Sequence, residues 1–373
     1  MLKFVCEKTP LFSAVAIASR TSAQKSPISV LEGVLLRAEK DTLSLTGYDL
    51  ENGITVSLPA QVQEEGECVL PPRLFFDIVR KAAEDEISVT VEDRLRVEVK
   101  SGISVFHFSA ESAADFPDLP DVDAEEGVVI PQQELRTLIS GTLFSVSENK
   151  TRPILTGCLF EVEENSVTAV AIDGVRLAMR RWRTKETLAC AGKKFVAPAA
   201  ALREVEKLLA DTEEPAEIVV GKKYIIFRIG DARLICRVID GEFVDWRKVL
   251  STAADIKVVA QVADLTNCLD RVCLMISEKF NSPVRCLFSN NSAQFSTTTQ
   301  TGAAQDVCSI AGDGKELVIG FNGNFLLDAL RRINDDEVML SLSNSLSPVV
   351  MTPADGKDDF SYLILPMRMR ETE

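Results

Sequence analysis

Arg152 to Trp182 reads RPILTGCLFEVEENSVTAVAIDGVRLAMRRW. Leu155, Cys158, Phe160 and Val162 precede a polar turn at Glu163-Glu164-Asn165. Val167, Ala169, Ala171, Val175, Leu177 and Met179 follow it with the loose two-residue alternation of paired strands. The stretch therefore predicts a hairpin. Asp173-Gly174 predicts a tight turn that interrupts the second strand, because Gly accepts positive φ and Asp can bond its own downstream backbone. Val175, Arg176 and Leu177 are then presented just beyond that turn. Taken alone this is an ordinary hairpin with a kink, and its meaning comes from what surrounds it.

Moving outward, the chain states the same order three times. The first third runs from a helical stretch at Thr9 to Arg20 into an apolar strand at Val30 to Leu36. A hairpin from Thr42 to Leu50 follows, then Val69-Leu70-Pro71-Pro72, a helix from Arg73 to Ala83, and alternating strands that end in Phe116-Pro117-Asp118-Leu119. The middle third has a helix from Gln132 to Val146, the opening hairpin, Phe195-Val196-Ala197-Pro198, a helix from Ala200 to Ala210, two strands and Phe243-Val244-Asp245-Trp246. From Phe116 to Phe243, Pro72 to Pro198 and Asp49 to Asp173 the spacings are 127, 126 and 124 residues. The last third places helices at Val262 to Ile276 and Asn322 to Ile333, with strands between and after them.

A period of this length exceeds that of solenoid repeats, so each unit is expected to have its own core. Acidic or small-residue clusters at Asp121 to Gly127 and Ser251 to Asp255 set the expected domains at 1–124, 125–252 and 253–373. Two helices and about eight short strands per unit imply an α+β class, three tandem similar domains whose antiparallel sheets carry helices on one face.

Composition narrows the function. The chain has 373 residues, 46% hydrophobic and 26% charged, which is globular. Glu7 and Lys8 break the apolar core that a signal peptide needs, and no run approaches a membrane span, so a cytoplasmic location is expected. The nine cysteines are scattered without a CxxC pair, which predicts buried thiols rather than a metal site or disulfide framework. The single histidine, His107, lies in an alternating run and reads as a strand residue. No nucleophile motif, phosphate-binding glycine loop or zinc motif accompanies it, so catalysis starts with little support.

A net charge of −15 argues against a nucleic-acid partner until its distribution is counted. The six helical stretches sum to +4, so the remainder of the chain is strongly acidic and the helical layer mildly basic. An acidic body with a basic helical face can hold phosphates without reading sequence. Arg20, Lys25, Arg73, Arg80, Lys81, Arg152, Arg331 and Arg332 are the available cations.

The residues Leu43-Ser44-Leu45-Thr46-Gly47-Tyr48-Asp49-Leu50-Glu51, Phe75-Phe76-Asp77-Ile78, Ala114-Asp115-Phe116-Pro117-Asp118-Leu119, Arg152-Pro153-Ile154-Leu155-Thr156-Gly157, Asp173-Gly174-Val175-Arg176-Leu177-Ala178, Glu278-Lys279-Phe280, Ile319-Gly320-Phe321-Asn322 and Leu365-Pro366-Met367-Arg368 resemble a known family over the full length. It is the bacterial DNA polymerase III β subunit, the sliding clamp. The resemblance implies a head-to-tail homodimer whose six domains close into a ring, helices lining the hole and sheets outside. It implies a non-catalytic processivity factor, without cofactor or metal, that encircles double-stranded DNA and tethers the polymerase α subunit. The clamp loader, other clamp-binding polymerases and repair proteins are the further partners implied.

The resemblance also implies a peptide groove between the middle and last domains. Carried over by position, its wall takes Leu155, Ile172, Gly174, Val175, Arg176 and Leu177 from the opening hairpin, and Val244, Lys248 and Val249 from the end of the middle domain. From the last domain it takes Phe280, Asn322, Phe325, Leu346 and Pro348, and then Leu363, Ile364, Leu365, Pro366, Met367 and Arg368. An apolar wall with a Met-bearing rim suits short peptides that insert Leu and Phe side chains. Arg20, Lys25, Arg73, Arg80 and Arg152 are the expected DNA-facing cations, and Phe106 and Phe108 against Leu274 and Met275 the expected dimer contact.

Departures from the family pattern bear on both surfaces. Val175 stands where the family often has His and Val244 where it often has Pro, while Ala199 and Ala200 replace residues that are often basic. Ile103 and Val105 likewise replace often basic positions, and Met369 to Glu373 continue past the family's usual end. Two other readings compete: a peptide-gathering scaffold that does not hold DNA, and a hydrolase using carboxylates such as Asp49 and Asp173.

Overall fold

The landmarks that recur along the sequence recur as elements. In the computed structural model, which describes residues 1–122, 126–251, 254–276, 282–312, 315–357 and 359–369, the chain folds as follows. The first repeat contains β1 (Leu2–Glu7), α1 (Lys8–Ala18), β2 (Val34–Glu39), β3 (Thr42–Tyr48), β4 (Asn52–Pro59), β5 (Gln61–Glu64), β6 (Gly66–Leu70), α2 (Pro72–Lys81), β7 (Glu86–Val91), β8 (Arg96–Ser101) and β9 (Ser104–Ser109). The second contains β10 (Gly127–Pro131), α3 (Gln132–Ser140), β11 (Gly157–Val162), β12 (Ser166–Ile172), β13 (Arg176–Arg183), β14 (Lys194–Pro198), α4 (Ala199–Leu208), β15 (Pro215–Val220), β16 (Tyr224–Ile229) and β17 (Ala232–Arg237). A short helix α5 (Trp246–Leu250) leads to the third: β18 (Ile256–Gln261), α6 (Val262–Cys273), β19 (Val284–Phe288), β20 (Ser292–Thr299), β21 (Gly302–Gly312), β22 (Leu317–Phe321), α7 (Gly323–Leu330), β23 (Glu337–Leu342), β24 (Val349–Pro353) and β25 (Phe360–Ile364). Apart from β5 and α5, one order of two helices and eight strands is used three times, so three tandem α+β domains are present.

The compact units are not the repeats. One unit is Met1–Gln133 with Arg203–Val238, and the other is Glu134–Leu202 with Ile239–Glu373. The reason lies in the sheets. The first unit holds a five-stranded sheet, β5-β1-β7-β8-β9, and an eight-stranded sheet, β10-β15-β16-β17-β4-β3-β2-β6. In the latter, β17 of the second repeat pairs antiparallel with β4 of the first, Cys236 opposite Asn52. The second unit holds one twelve-stranded sheet, β14-β11-β12-β13-β25-β24-β23-β18-β21-β20-β19-β22, in which β13 pairs with β25. The second repeat thus gives one of its half-sheets to each unit.

Helices pack by a stripe of apolar side chains at the helical period. In α6 the buried set is Val262, Leu265, Cys268, Leu269 and Val272, and in α1 it is Leu11, Ala14, Val15 and Ala18. Each fully buried Leu or Val contributes roughly 1.5–3 kcal/mol. Phe12 of α1 meets Phe76 of α2 with ring centroids 4.8 Å apart. Gly47 in β3 is required by close approach, since a Cβ there would lie 1.9 Å from the carbonyl oxygen of Ala18. Seven of the cysteines are buried, and burial pushes the thiols of Cys6, Cys68, Cys158 and Cys236 up to about 12.

Several local expectations are corrected. The DG turn does not kink one strand; it reverses the chain, so β12 and β13 pair antiparallel with Ile172 opposite Leu177. β11 and β12 are buried along their whole length instead of alternating. The expected strand at Val30 begins at Val34, because Val30 and Leu31 are both buried in a 3-10 turn at Ser29–Glu32. The expected helix to Val146 stops at Ser140, and its apolar pattern continues because Leu143 and Val146 are buried in and just after a separate 3-10 turn at Leu143–Ser145. Three strands, not two, follow α4.

Candidate functional site

Asp173 builds the DG turn with its side chain. Its Oδ1 accepts the backbone N–H groups of Val175 and Arg176, both at 2.9 Å, and Gly174 takes φ +102°. Asp49 repeats the device, accepting from Glu51 at 2.9 Å and Asn52 at 2.6 Å with Leu50 at φ +75°. Both carboxylates are thus occupied in turns, one in each compact unit.

Beyond the turn, β13 and β25 zip together with Arg176 opposite Ile364 and Leu177 opposite Leu363. The N–H of Leu365 then donates to the Val175 carbonyl at 2.9 Å, and that of Met367 to the Gly320 carbonyl at 2.8 Å. The last described residues therefore run from the DG turn to the β22 edge. Beneath them Leu155, Ile172, Leu177 and Leu363 form one buried cluster with Trp246 and Val350. Ile364 belongs to the neighbouring core of the third repeat, against which Phe325 packs.

Around this floor stand apolar side chains open to solvent: Val175 at 45% exposure, Leu346 at 78%, and Val244, Val249 and Leu365. Pro348 is half-buried just before β24, whose Val349 faces Ile364. Pro366 and Met367 are half-buried, and Gly174, Lys248 and Arg368 are exposed. Lys248 pairs with Asp245 at 3.0 Å, and its hydrogen bond holds the Asp245 carboxyl below the usual carboxylate range. Asn322 caps α7 by accepting from the N–H of Asn324 at 3.0 Å. Phe280, with Glu278 and Lys279, lies outside the described residues. An apolar floor, an apolar rim and a few polar groups can hold a short peptide by its side chains.

Arg176 does not reach outward. Only 13% exposed, it pairs with Asp173 at 2.8 Å and Asp328 at 2.7 Å, and its guanidinium lies 4.2 Å from the Phe325 ring centre. It therefore joins the DG turn to α7. Sequence reasoning missed Asp328, which lies 152 positions from its partner and carries no local signal. It also missed α5: Trp246 was visible only as a landmark at the end of the repeat, and its side chain lies in the floor cluster.

The expected DNA-facing cations Arg20, Lys25, Arg73, Arg80 and Arg152 are all exposed. Arg80 is already paired with Asp77 at 2.6 Å. In the expected dimer contact, Phe106 and Phe108 lie on β9, an edge strand, and line a recess of about 250 Å³ with Leu74, Ile78 and His107. Leu274, which caps α6, is 79% exposed, and Met275 follows it. Among the described residues no cluster of His, Cys, Asp and Glu could hold a metal, and no helix is long and apolar enough to cross a membrane.

Family models for the N-terminal, central and C-terminal domains of the DNA polymerase III beta subunit match residues 2–120, 129–245 and 247–368. The chain is 27% identical over 378 residues to the beta sliding clamp of Staphylococcus epidermidis, covering 99% of this chain and 100% of the relative. Among solved structures, a DNA polymerase sliding clamp from Pseudomonas aeruginosa with ligand is 30% identical with a TM-score of 0.91, covering 99% of this chain and 100% of that one. The DNA polymerase sliding clamp from Bacillus subtilis is 26% identical with a TM-score of 0.93 and the same coverage.

Proposed function

We propose a function from one premise: this chain belongs to the family of DNA polymerase III beta subunits, the sliding clamps that act as processivity factors in DNA replication. Two copies, head to tail, form a ring around duplex DNA. The ring is a non-catalytic part of the polymerase III holoenzyme, works in the cytoplasm, and has domain borders near residues 124 and 252. The groove between β13, α5 and the Leu365–Arg368 segment takes the peptides of the polymerase α subunit, the clamp loader and other polymerases and repair proteins.

The observation that carries the ring is a junction used twice and left open once. The third strand of each meander pairs with the last strand of the next repeat: β4 with β17, then β13 with β25. Among the described residues, the corresponding strand of the third repeat, β21, pairs with β18 only through residues 310–312, and the last strand of the first repeat, β9, pairs only with β8. A second copy that supplies the same junction at both places leaves neither edge open, which is how a head-to-tail contact closes a ring. Such a ring holds DNA topologically, with exposed cations such as Arg73 meeting phosphates without reading bases.

The test is retention on DNA. A clamp loaded on closed circular DNA stays bound and leaves when the circle is cut, whereas equal retention on linear DNA overturns the proposal.

A further inference from the structure

We infer that Glu161 is a positioning residue of the groove, its buried carboxylate anchoring Arg247 and thereby fixing the short helix α5 that carries Lys248 and Val249. The inference rests on the groove reading given above.

Comparison of the repeats isolates this residue. Arg37 on β2 faces Glu67 on β6, and the two form an ion pair at 2.8 Å with both side chains well exposed. At the matching ladder position of the second repeat the signs are exchanged: Glu161 on β11 faces Lys194 on β14, at 2.7 Å. In the third the position is apolar, Leu287 facing Val318. Among the described residues only the second repeat adds another cation. Arg247 reaches Glu161 at 2.8 Å and Glu163 at 3.6 Å.

The addition follows from burial. Glu161 is only 5% exposed, whereas Lys194 keeps most of its surface in water. A carboxylate taken out of water is costly unless it is well paired. Burial pushes its carboxyl up, but Arg247 and Lys194 outweigh that and hold it below the usual carboxylate range. The Oε2 approach to Arg247 lacks hydrogen-bond alignment, so this contact is an ion pair.

Helix α5 has little else to define it. Five residues long, it has no side-chain cap, and a helix so short is not stable alone. Trp246 roots it in the groove floor and Arg247, whose guanidinium lies 4.2 Å from the Trp246 ring centre, ties it to Glu161. Consecutive residues thus point to two anchors, and the orientation of Val249 and Lys248 depends on both.

Fluorescence polarisation with a labelled short peptide ending in Leu-Phe tests this, using the full chain. Glu161→Gln is expected to weaken binding about five- to tenfold. Arg247→Met is expected to do the same, the double variant to be no worse than either single one, and amide exchange at residues 247–250 to quicken. Lys194→Met, which removes the other cation of Glu161 but no tether of α5, is expected to bind as wild type. Unchanged affinity in Glu161→Gln, or an equal loss in Lys194→Met, overturns the inference and leaves the groove reading standing. A wild type that does not bind the peptide overturns the groove reading itself.

Discussion

The backbone N–H of Leu365 donates to the carbonyl of Val175 at 2.9 Å, which carries the β13–β25 pairing one residue past the regular ladder. It sets two exposed apolar side chains from distant parts of the sequence at the same end of the same strand pair. Cross-strand neighbours sit close enough to cover one apolar group of a ligand together.

Val175→Glu places a carboxylate at that rim, where peptide binding must desolvate it. Affinity for a labelled clamp-binding peptide is expected to fall at least tenfold. The side chain is almost half exposed, so the unfolding midpoint is expected to stay within experimental scatter. Polarisation and urea titration check the two parts separately.

Arg176→Ala removes the tie between the DG turn and α7. Asp173 and Asp328 lose their shared cation, and the Phe325 ring loses the guanidinium above it. A destabilisation of about 2 kcal/mol is expected, below the figure for a fully buried pair because Asp328 is 40% exposed. Both tryptophans, Trp182 and Trp246, lie in the unit that contains this tie, so their fluorescence during urea unfolding reads it directly.

The two Asp turns differ at the residue with positive φ. Leu50 at φ +75° stores strain that Gly174 at φ +102° avoids. Leu50→Gly is expected to stabilise the first unit by about 0.5 kcal/mol or leave it unchanged, and Gly174→Ala to destabilise the second by about 1 kcal/mol. Open space surrounds a Cβ built at Gly174, so the loss comes from backbone conformation alone. Calorimetry on both variants gives the signs.

How much of this was legible follows from the range of each interaction. The repeat was readable because strand alternation, Asp turns and helix stripes are local. The groove floor was readable only by resemblance: Leu155, Leu177 and Leu363 look like any core residue until β13 pairs with β25. Asp328 and Glu161 were invisible, since each acquires its role from a partner on a distant segment. The sharing of the second repeat between two units was hidden too, because β17 and β4 carry no signal that names the other as neighbour.

For DNA, the two exposed arginines of α2 are not equivalent. Arg80 is paired with Asp77, while Arg73, at the start of the helix, has no ion pair among the described residues. Arg73→Glu is therefore expected to weaken DNA retention more than Arg80→Glu and to lower the salt dependence of binding by about one unit of slope. Acid in the first turn favours the helix dipole, so the fold is not harmed. Binding measured across a salt series distinguishes the two variants.

Leu274 tests the dimer. An apolar side chain 79% exposed at the end of α6 contributes little to its own chain, so Leu274→Asp is expected to leave the chain folded at a cost of about 0.5 kcal/mol from acid at a helix C-terminus. Against a partner's patch built mainly from Phe106, Phe108, Leu74 and Ile78, which Asp77 and Lys81 also line, the same carboxylate is taken out of water among apolar side chains. Light scattering is therefore expected to show a dimer for the wild type at micromolar concentration and a monomer for the variant. Phe108→Asp, made on the other side of the contact, is expected to give the same result. If both variants remain dimeric, this face is not where two copies meet. A monomeric wild type overturns the ring itself.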